Sequence, residues 1–347
     1  MINLAIVGTG GMAHAHARAY STIRGVRIVA ACDILPDRVK DFAAEFKIPH
    51  VYTDVEQLLA QEGIDAVDVV TPDSSHASVS LKAIAKGKHV LCEKPLATCY
   101  PDAQEMADAA ARAGVINMVN LSYRNSSAIQ KAHQMVKQGK LGTIMHVEAS
   151  YLQSWLASKV WGDYRTNPSM LWRLSTQHGS AGVLGDIGVH ILDFTTFAAG
   201  DIKSLNCRLK TFHKAEGDRI GEYPLDANDS AVITIEMAGG ALGTVHASRW
   251  AVGQANSLSL RVYGDKGALA VNLDQSYTTM QVCLGEDVDK VLWKTLDCGK
   301  TPNIYQRFIS SVRTGKNDQP DFAVGARVQK MLDACVESDR LGKAVVI

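Results

Sequence analysis

The sequence predicts an α/β chain in two parts: a parallel sheet wound with helices, then an α+β part built on an open, mostly antiparallel sheet. Three observations carry this. In the first third, short apolar runs alternate with segments of helical spacing, the pattern of right-handed crossovers onto a parallel sheet. Past Tyr123 the texture changes, and strand-like runs succeed one another without helices between them. Gly239-Gly240 and Asp265-Lys266-Gly267 punctuate those runs as hairpin turns do. The boundary is accordingly set between Ser122 and Tyr123, giving parts of residues 1–122 and 123–347.

The first strand, Ile2 to Val7, is a short apolar run closed by glycine, as a buried parallel strand should be. Gly8-Thr9-Gly10-Gly11-Met12-Ala13 follows and fits the pattern G-x-G-x-x-G/A. Gly8 permits the tight turn, Gly10 a close backbone approach to a pyrophosphate, and Ala13 close helix packing on the strand. The helix starting near Gly11 and running to Tyr20 offers free N–H groups and a positive dipole end to phosphates. A second strand, from Val26, ends at Asp33, placed to accept both ribose hydroxyls of an adenosine. Strand, turn, helix and terminal acid agree on a bound dinucleotide.

A helix is then expected over Pro36–Phe46, with Val39, Phe42, Ala43 and Phe46 on one face, and a strand over Ile64–Val70 ending at Thr71-Pro72-Asp73. Helix Ser74–Lys86, strand His89–Cys92, helix Asp102–Ala113 and strand Val115–Asn120 complete the first part. The segments after these strands, including Cys92-Glu93-Lys94-Pro95 and Leu121-Ser122-Tyr123-Arg124, should line one crevice with the glycine turn, because ligands of such sheets lie at the strands' carboxyl ends. The second part opens with helix Ala128–Lys137 and strand Ile144–Tyr151, then an aromatic loop bearing Trp155, Trp161 and Trp172. A helix near Leu184–Ala199 precedes six strands between Leu205 and Leu284, and helices Tyr305–Val312 and Val324–Leu341, which could pack back on either part, close the chain. Apolar positions at Val232, Ile235, Leu258, Leu260 and Val262 predict one sheet face on the helices. An open sheet with a second, bare face is expected to bury it against another subunit, as a homodimer or homotetramer.

Composition bounds the function. At 347 residues, with Lys+Arg 36 balancing Asp+Glu 36, the chain has two cores but no field for nucleic acid or acidic membranes. A strand at residue 2 and the absence of any long apolar run predict no signal peptide and no membrane span. Seven scattered cysteines without C-x-x-C spacing read as reduced thiols of a cytoplasmic protein, not as a zinc site.

Two stretches carry chemistry. In Glu93-Lys94-Pro95, the proline moves Lys94 away from helical geometry, which would aim its ammonium into the crevice; a solvated Glu–Lys surface pair is the bland alternative. In Gly185-Asp186-Ile187-Gly188-Val189-His190-Ile191-Leu192-Asp193, helical spacing puts Asp186, His190 and Asp193 on one face. A capped helix start with a core histidine would also explain that pattern. A two-carboxylate, one-histidine metal site is disfavoured, because more histidine or thiolate ligands are usual and Lys94 would repel a cation. His14 and His16, two apart on a helix, cannot chelate together.

The glycine turn, Asp33, Thr71-Pro72-x-x-x-His76, Glu93-Lys94-Pro95, Tyr123-Arg124 and Asp186-x-Gly188-x-His190 occur in this order. Together they resemble the glucose–fructose oxidoreductase / inositol dehydrogenase / rhizopine catabolism (Gfo/Idh/MocA) family across essentially the whole chain. The resemblance implies a Rossmann domain followed by an α/β domain whose open sheet mediates oligomers, and NAD(P)-dependent oxidation or reduction of a sugar or polyol hydroxyl. It implies Lys94, Asp186 and His190 as the catalytic set. It implies a cofactor held by Gly8, Gly10, Gly11, Met12, Asp33, Thr71, Pro72, His76, Glu93, Lys94 and Arg173. Tyr123, Gln153, Trp155 and Trp172 would join the catalytic set around the substrate, the segment Tyr151–Trp155 resembling members that act on whole pyranose or anhydrosugar rings. Two departures touch the pocket: Leu174-Ser175 stands where a proline often follows Trp172-Arg173, and Gly182-Val183-Leu184-Gly185 breaks a glycine triplet.

Chemistry supports the same roles. Hydride removal from a carbinol requires the hydroxyl proton to leave, which a histidine base can take. A lysine stabilises the nascent alkoxide, and an acid holds the hydroxyl or the histidine in register. Asp33 predicts NAD over NADP, since it would repel a 2′-phosphate, a repulsion that Arg38 would partly offset if its side chain folds back. Two other classes stay open at this point: a glycosidase or lyase using tightly held NAD transiently, and a non-catalytic dinucleotide sensor.

Overall fold

The computed structural model describes residues 1–347, apart from the side chains of Pro168 and Ser169. The chain forms two compact units, Met1–Ser122 with Pro302–Gln329, and Tyr123–Thr301 with Lys330–Ile347.

The first unit holds six parallel strands: β1 (Ile2–Val7), β2 (Val26–Cys32), β3 (His50–Tyr52), β4 (Ala66–Val69), β5 (His89–Cys92) and β6 (Asn117–Val119). Their order is β3-β2-β1-β4-β5-β6, and all five pairings are parallel. The order reverses between β1 and β4, which opens a crevice at their carboxyl ends. Helices α1 (Gly11–Ser21), α2 (Pro36–Phe46), α3 (Val55–Ala60), α4 (His76–Ala85) and α5 (Tyr100–Ala113) make the crossovers. Strand β3 and helix α3 were not expected. The strand is three residues long on the sheet edge, too short for a period, and α3 is announced only by its cap, Asp54, which accepts from the N–H groups of Glu56 and Gln57.

The second unit opens with α6 (Ser127–Lys137) and β7 (Ile144–Leu152). A π-helical turn, Leu184–Gly188, then leads into α7 (Val189–Ala199). Strands β8 (Ile202–Lys210), the small pair β9 (Arg219–Ile220) and β10 (Tyr223–Pro224), β11 (Ser230–Met237), β12 (Leu242–Ser248), β13 (Ser257–Gly264), β14 (Gly267–Asn272), β15 (Thr279–Leu284) and β16 (Lys294–Asp297) follow. With β7 and β17 (Val345–Val346), all of these but β9 and β10, which pair with each other, build a nine-stranded sheet in the order β16-β15-β14-β13-β7-β12-β11-β8-β17. Only the β7–β12 pair is parallel. Val147, Ala149, Ile233, Val245, Leu258, Leu260 and Val262 are buried on one face, against α6 and α7. Val232 is a correction: it is 56 % exposed while Ile235 is buried, because positions of opposite parity on a strand point to opposite faces. The outer face is largely polar, with Glu148, Ser150, Thr244, His246, Ser259 and Arg261 lining a shallow groove.

The C-terminal assignment of residues 302–329 also needs correcting. Helix α8 (Ile304–Thr314) buries Ile304, Phe308 and Ile309 against Ile2, Leu4, Leu91 and Met118 of the first unit. Just beyond it, Asn117 N–H donates to Asn317 Oδ1 at 3.0 Å and Phe322 N–H to Asn117 Oδ1 at 2.8 Å. The last helix, α9, spans Phe322–Leu341. No helix among the described residues is long and apolar enough to cross a membrane.

Candidate active site

The glycine turn has the geometry its residues dictate. Gly8 sits at φ +90°, and a Cβ there would lie 2.4 Å from the Val70 carbonyl oxygen, so only glycine fits. A Cβ on Gly10 or Gly11 would meet nothing within 4 Å, which leaves open space in front of α1. Gly10 caps that helix without a side chain, so its first N–H groups are left for a ligand. Met12 is exposed beside the turn, and Ala13 is buried against the sheet. These residues fit a dinucleotide pyrophosphate.

Asp33 ends β2 within reach of the turn. Its Oδ2 accepts from Thr9 N–H at 2.8 Å and Thr9 Oγ1 at 2.9 Å. Arg38 folds back on it, Nε to Oδ2 at 3.0 Å and Nη2 to Oδ1 at 2.7 Å. Burial opposes the charge, but these bonds hold the Asp33 carboxyl below the usual carboxylate range.

Thr71-Pro72 follows β4 and Glu93-Lys94 follows β5, so the parallel sheet brings both to the crevice end with the turn. His76 and Glu93, expected to touch the cofactor, are used otherwise. His76 is fully buried, with Nδ1 2.7 Å from the Pro95 carbonyl and Nε2 2.9 Å from the Thr71 carbonyl. Both nitrogens therefore donate within the protein, and the ring braces the loops after β4 and β5. Glu93 turns inward: Oε1 faces His16 Nε2 at 2.8 Å and accepts from Asn120, while Oε2 accepts Lys94 N–H at 3.1 Å. It acts on Lys94 through the backbone. A lysine followed by a fixed proline needs such an anchor to present its side chain consistently.

His16 is the centre of that anchor. Its Nδ1 lies 2.8 Å from Asp68 Oδ2, and both ring nitrogens thus face carboxylates. Burial pulls its pKa down, but Asp68 and Glu93 push it up to about 10; Glu93, despite burial, is held down to about 2 by His16. The clue lay in two misplaced polar residues: Asp68 inside an apolar strand, and His16 on the helix face shared with Ala13, Ala17 and Tyr20. Because its folded pKa lies above the unfolded one, the contribution of His16 is complete below pH ~6.5. It is lost as pH rises through about 10. Urea midpoints of the wild type should therefore fall between pH 8 and about 10.5, and those of His16→Gln should fall less; equal slopes would contradict the assignment.

In the second unit the expected one-face triad is divided. Asp193 forms a buried pair with Arg124, with Nε 2.9 Å from Oδ2, and belongs to the framework. Asp186 sits on the π-helical turn, a feature frequent at functional sites. Its Oδ2 accepts Arg249 Nη2 at 2.9 Å. Arg249 is fully buried and also donates to the Arg173 and Gly182 carbonyls. One guanidinium thus fixes the acid and both ends of the segment 173–182. Sequence reading missed Arg249, since its partner lies 63 positions away and nothing local marks it.

His190, on the first turn of α7, is 7 % exposed, with the Tyr123 ring edge-on at 4.8 Å and the Tyr151 ring at 6.3 Å. The Tyr123 and Tyr151 hydroxyls are hydrogen-bonded. Asn256, which no local pattern flagged, accepts from Tyr151 at 2.7 Å and from Gln153 at 2.9 Å and donates to Tyr123 at 3.0 Å. Burial first, then Tyr123 and Asp186, push the Tyr151 phenol well above its ordinary value, so it stays a neutral donor. Trp155 departs from expectation. It is 1 % exposed, packs on Tyr164, and donates its indole N–H to Gln153 Oε1 at 3.0 Å; it shapes Gln153 rather than offering a face to a sugar. Trp172 is 38 % exposed, and the Arg173 guanidinium lies over its ring at 4.6 Å. Among the described residues no group of three His, Cys, Asp or Glu side chains could hold a metal ion.

Residues 2–121 match the family model described as "Oxidoreductase family, NAD-binding Rossmann fold", and residues 129–270 match "GFO/IDH/MocA C-terminal domain". The chain belongs to the Gfo/Idh/MocA family. It is an oxidoreductase of that family, with the NAD-binding Rossmann fold in its first unit. Among Gfo/Idh/MocA relatives, the levoglucosan dehydrogenase of Pseudarthrobacter phenanthrenivorans is 26 % identical, over 97 % of this chain and 96 % of its own. The D-glucoside 3-dehydrogenase of Escherichia coli is also 26 % identical, over 99 % of this chain and 97 % of its own. A solved levoglucosan dehydrogenase in complex with NADH and levoglucosan superposes with a TM-score of 0.87 at 25 % identity, covering 100 % of this chain and 99 % of that one.

Proposed function

We propose that this protein is an NAD-dependent dehydrogenase of a ring hydroxyl on a sugar or polyol, with pyranoses and anhydrosugars ranked first. The observation that carries the reading is the cluster beside His190. Two phenols, an asparagine and a glutamine share one hydrogen-bond network there, an arrangement suited to a polyhydroxylated ring. The dehydrogenases of levoglucosan and D-glucosides among its relatives support that substrate class.

Each residue has a part. When bound, NAD supplies a hydride acceptor at its nicotinamide. The glycine turn and α1 would hold its pyrophosphate, and Asp33 its adenosine ribose. His190 takes the proton from the substrate hydroxyl, as a base suited to neutral pH. Lys94 stabilises the charge that develops on that oxygen. Asp186, fixed by Arg249, holds the hydroxyl or the imidazole in register. Asp33 favours NAD, because a 2′-phosphate beside its carboxylate would be repelled. A panel of inositols, aldoses, glucosides and anhydrosugars with NAD and NADP, followed at the NADH absorbance, tests this. Net NADH formation with a cyclic sugar or polyol supports it. Turnover without net NADH would favour transient use of NAD in hydrolysis or elimination, and no turnover with intact NAD binding would favour a sensor.

The protein is further read as a cytoplasmic homo-oligomer assembled through the outer face of the nine-stranded sheet. Light scattering at micromolar concentration should give a multiple of 37.4 kDa. A species of that single mass would refute the assembly.

A further inference from the structure

Arg249 directly follows β12 and is 0 % exposed. A guanidinium keeps its charge at any working pH, and a buried charge is costly unless it is paired and hydrogen-bonded. Its contacts run in two directions. On one side Nη2 donates to Asp186 Oδ2 at 2.9 Å. On the other the guanidinium carbon lies 5.2 Å from the centre of the Trp155 ring, within the range of cation–π attraction, which is strongest where water is excluded. From Trp155 a line of hydrogen bonds leads away. The indole N–H reaches Gln153 Oε1, the Gln153 amide nitrogen reaches Asn256 Oδ1, and the Asn256 amide nitrogen reaches the Tyr123 hydroxyl. An indole N–H can only donate, so it fixes the sense of every amide after it. Gln153 must turn its oxygen to Trp155 and its nitrogen to Asn256, and Asn256 must then turn its nitrogen to Tyr123. Tyr123 lies edge-on to His190 at 4.8 Å, and His190 stands four positions beyond Asp186. The contacts close a circuit that begins and ends at Arg249.

We infer that Arg249 is a positioning residue that holds Asp186 and the Gln153–Asn256–Tyr123 network in one fixed relation, and thereby sets a preference for rings bearing several hydroxyls. The inference rests on the proposed dehydrogenase activity and deepens it. Arg249 and Trp155 are both enclosed, so their part is geometric. A cyclic polyol carries its hydroxyls at fixed separations. Its reacting hydroxyl meets Asp186 only if a second hydroxyl meets the amides and phenols at the matching distance, and a rigid spacing between the two rewards that match. Arg249 is suited to hold such a spacing. It also donates to the Arg173 carbonyl at 3.1 Å and the Gly182 carbonyl at 3.2 Å, so its planar fork cannot lean toward one side without losing bonds on the other. A lysine, a point charge on a flexible stem, could pair with Asp186 but could not hold three acceptors and a ring face together.

The test is steady-state kinetics of the full-length protein with NAD and a cyclic substrate that the wild type oxidises. The variants are Arg249→Met, Arg249→Lys, Trp155→Phe and the double variant Arg249→Lys/Trp155→Phe, with melting temperature and NADH affinity measured on each preparation. Arg249→Met should lower kcat about 10²-fold, the cost of a misplacement of roughly 1 Å, and Arg249→Lys should recover part of that loss. Trp155→Phe keeps the aromatic face but loses the N–H. It should raise KM about three- to tenfold, the worth of one polar contact, with kcat nearly unchanged. In the double variant the loss in kcat/KM should be smaller than the product of the two single losses, because both act through one frame. Should Arg249→Met not fold, the lysine and phenylalanine variants carry the test. A folded Arg249 variant with normal kcat, or a double variant whose losses simply multiply, would overturn the inference while leaving the activity intact. Lower melting temperatures with kcat and KM unchanged would mark a purely structural role and overturn it too. Wild-type protein that binds NADH but oxidises no cyclic sugar or polyol would overturn the proposed function instead.

Discussion

His190→Ala is expected to lower kcat for sugar oxidation by about 10²–10⁴, the usual worth of a positioned general base. The imidazole lies on the first turn of α7 beside Tyr123 and Tyr151, and among the described residues no other imidazole contacts those two rings. Its loss would leave water to take the hydroxyl proton. NADH affinity should change little, because in the proposed function the glycine turn and Asp33 would hold the adenosine half of the nucleotide. A histidine serving only the core forecasts the reverse pattern: a lower melting temperature with turnover per folded molecule intact. Measuring kcat, NADH affinity and melting temperature on one preparation separates the two, and near-normal kcat in a folded variant would reject the base.

Lys94→Ala should cost about 10²–10³ in kcat, comparable to removing one charge-stabilising donor from a developing oxyanion. The side chain follows a strand whose end is anchored by Glu93, itself gripped by His16 and Asn120, so the loop should survive the substitution. Lys94→Arg keeps the positive charge but changes its reach and shape, and should recover part of the loss. The contrast between the two variants is the informative quantity. If alanine and arginine are equally impaired, position rather than charge is at stake; if alanine is nearly normal, Lys94 is a solvated surface lysine.

The sequence was most legible where one local pattern implied one backbone. Gly8 sits on a turn whose sterics admit only glycine, Ala13 packs against the sheet, and β5 and α2 begin and end where apolar spacing placed them. Legibility failed where a role depends on a distant partner. Asp193 and Asp186 look alike on a helical wheel, yet Arg124 makes one a framework residue and Arg249 braces the other. His76 and Glu93 carried the motif, but the motif does not say which way their side chains turn. Trp155 resembled a sugar platform because an aromatic residue in a loop reads as exposed; its burial follows from Tyr164 and Leu225 packing on it.

The return of residues 302–329 to the first unit bears on how the chain is made. When Ser122 leaves the ribosome, every strand of the six-stranded sheet has been synthesised, but Ile304, Phe308 and Phe322 have not. The nascent sheet must wait through roughly 180 further residues, about 10–40 s at ordinary rates of synthesis, with the apolar patch around Leu4, Leu91 and Met118 uncovered. Strand-by-strand completion of an N-terminal domain, the usual order for tandem domains, is therefore closed to this protein. Its dinucleotide-binding half becomes whole only as translation ends, and a chain terminated before α8 is expected to leave the patch around Leu4, Leu91 and Met118 exposed.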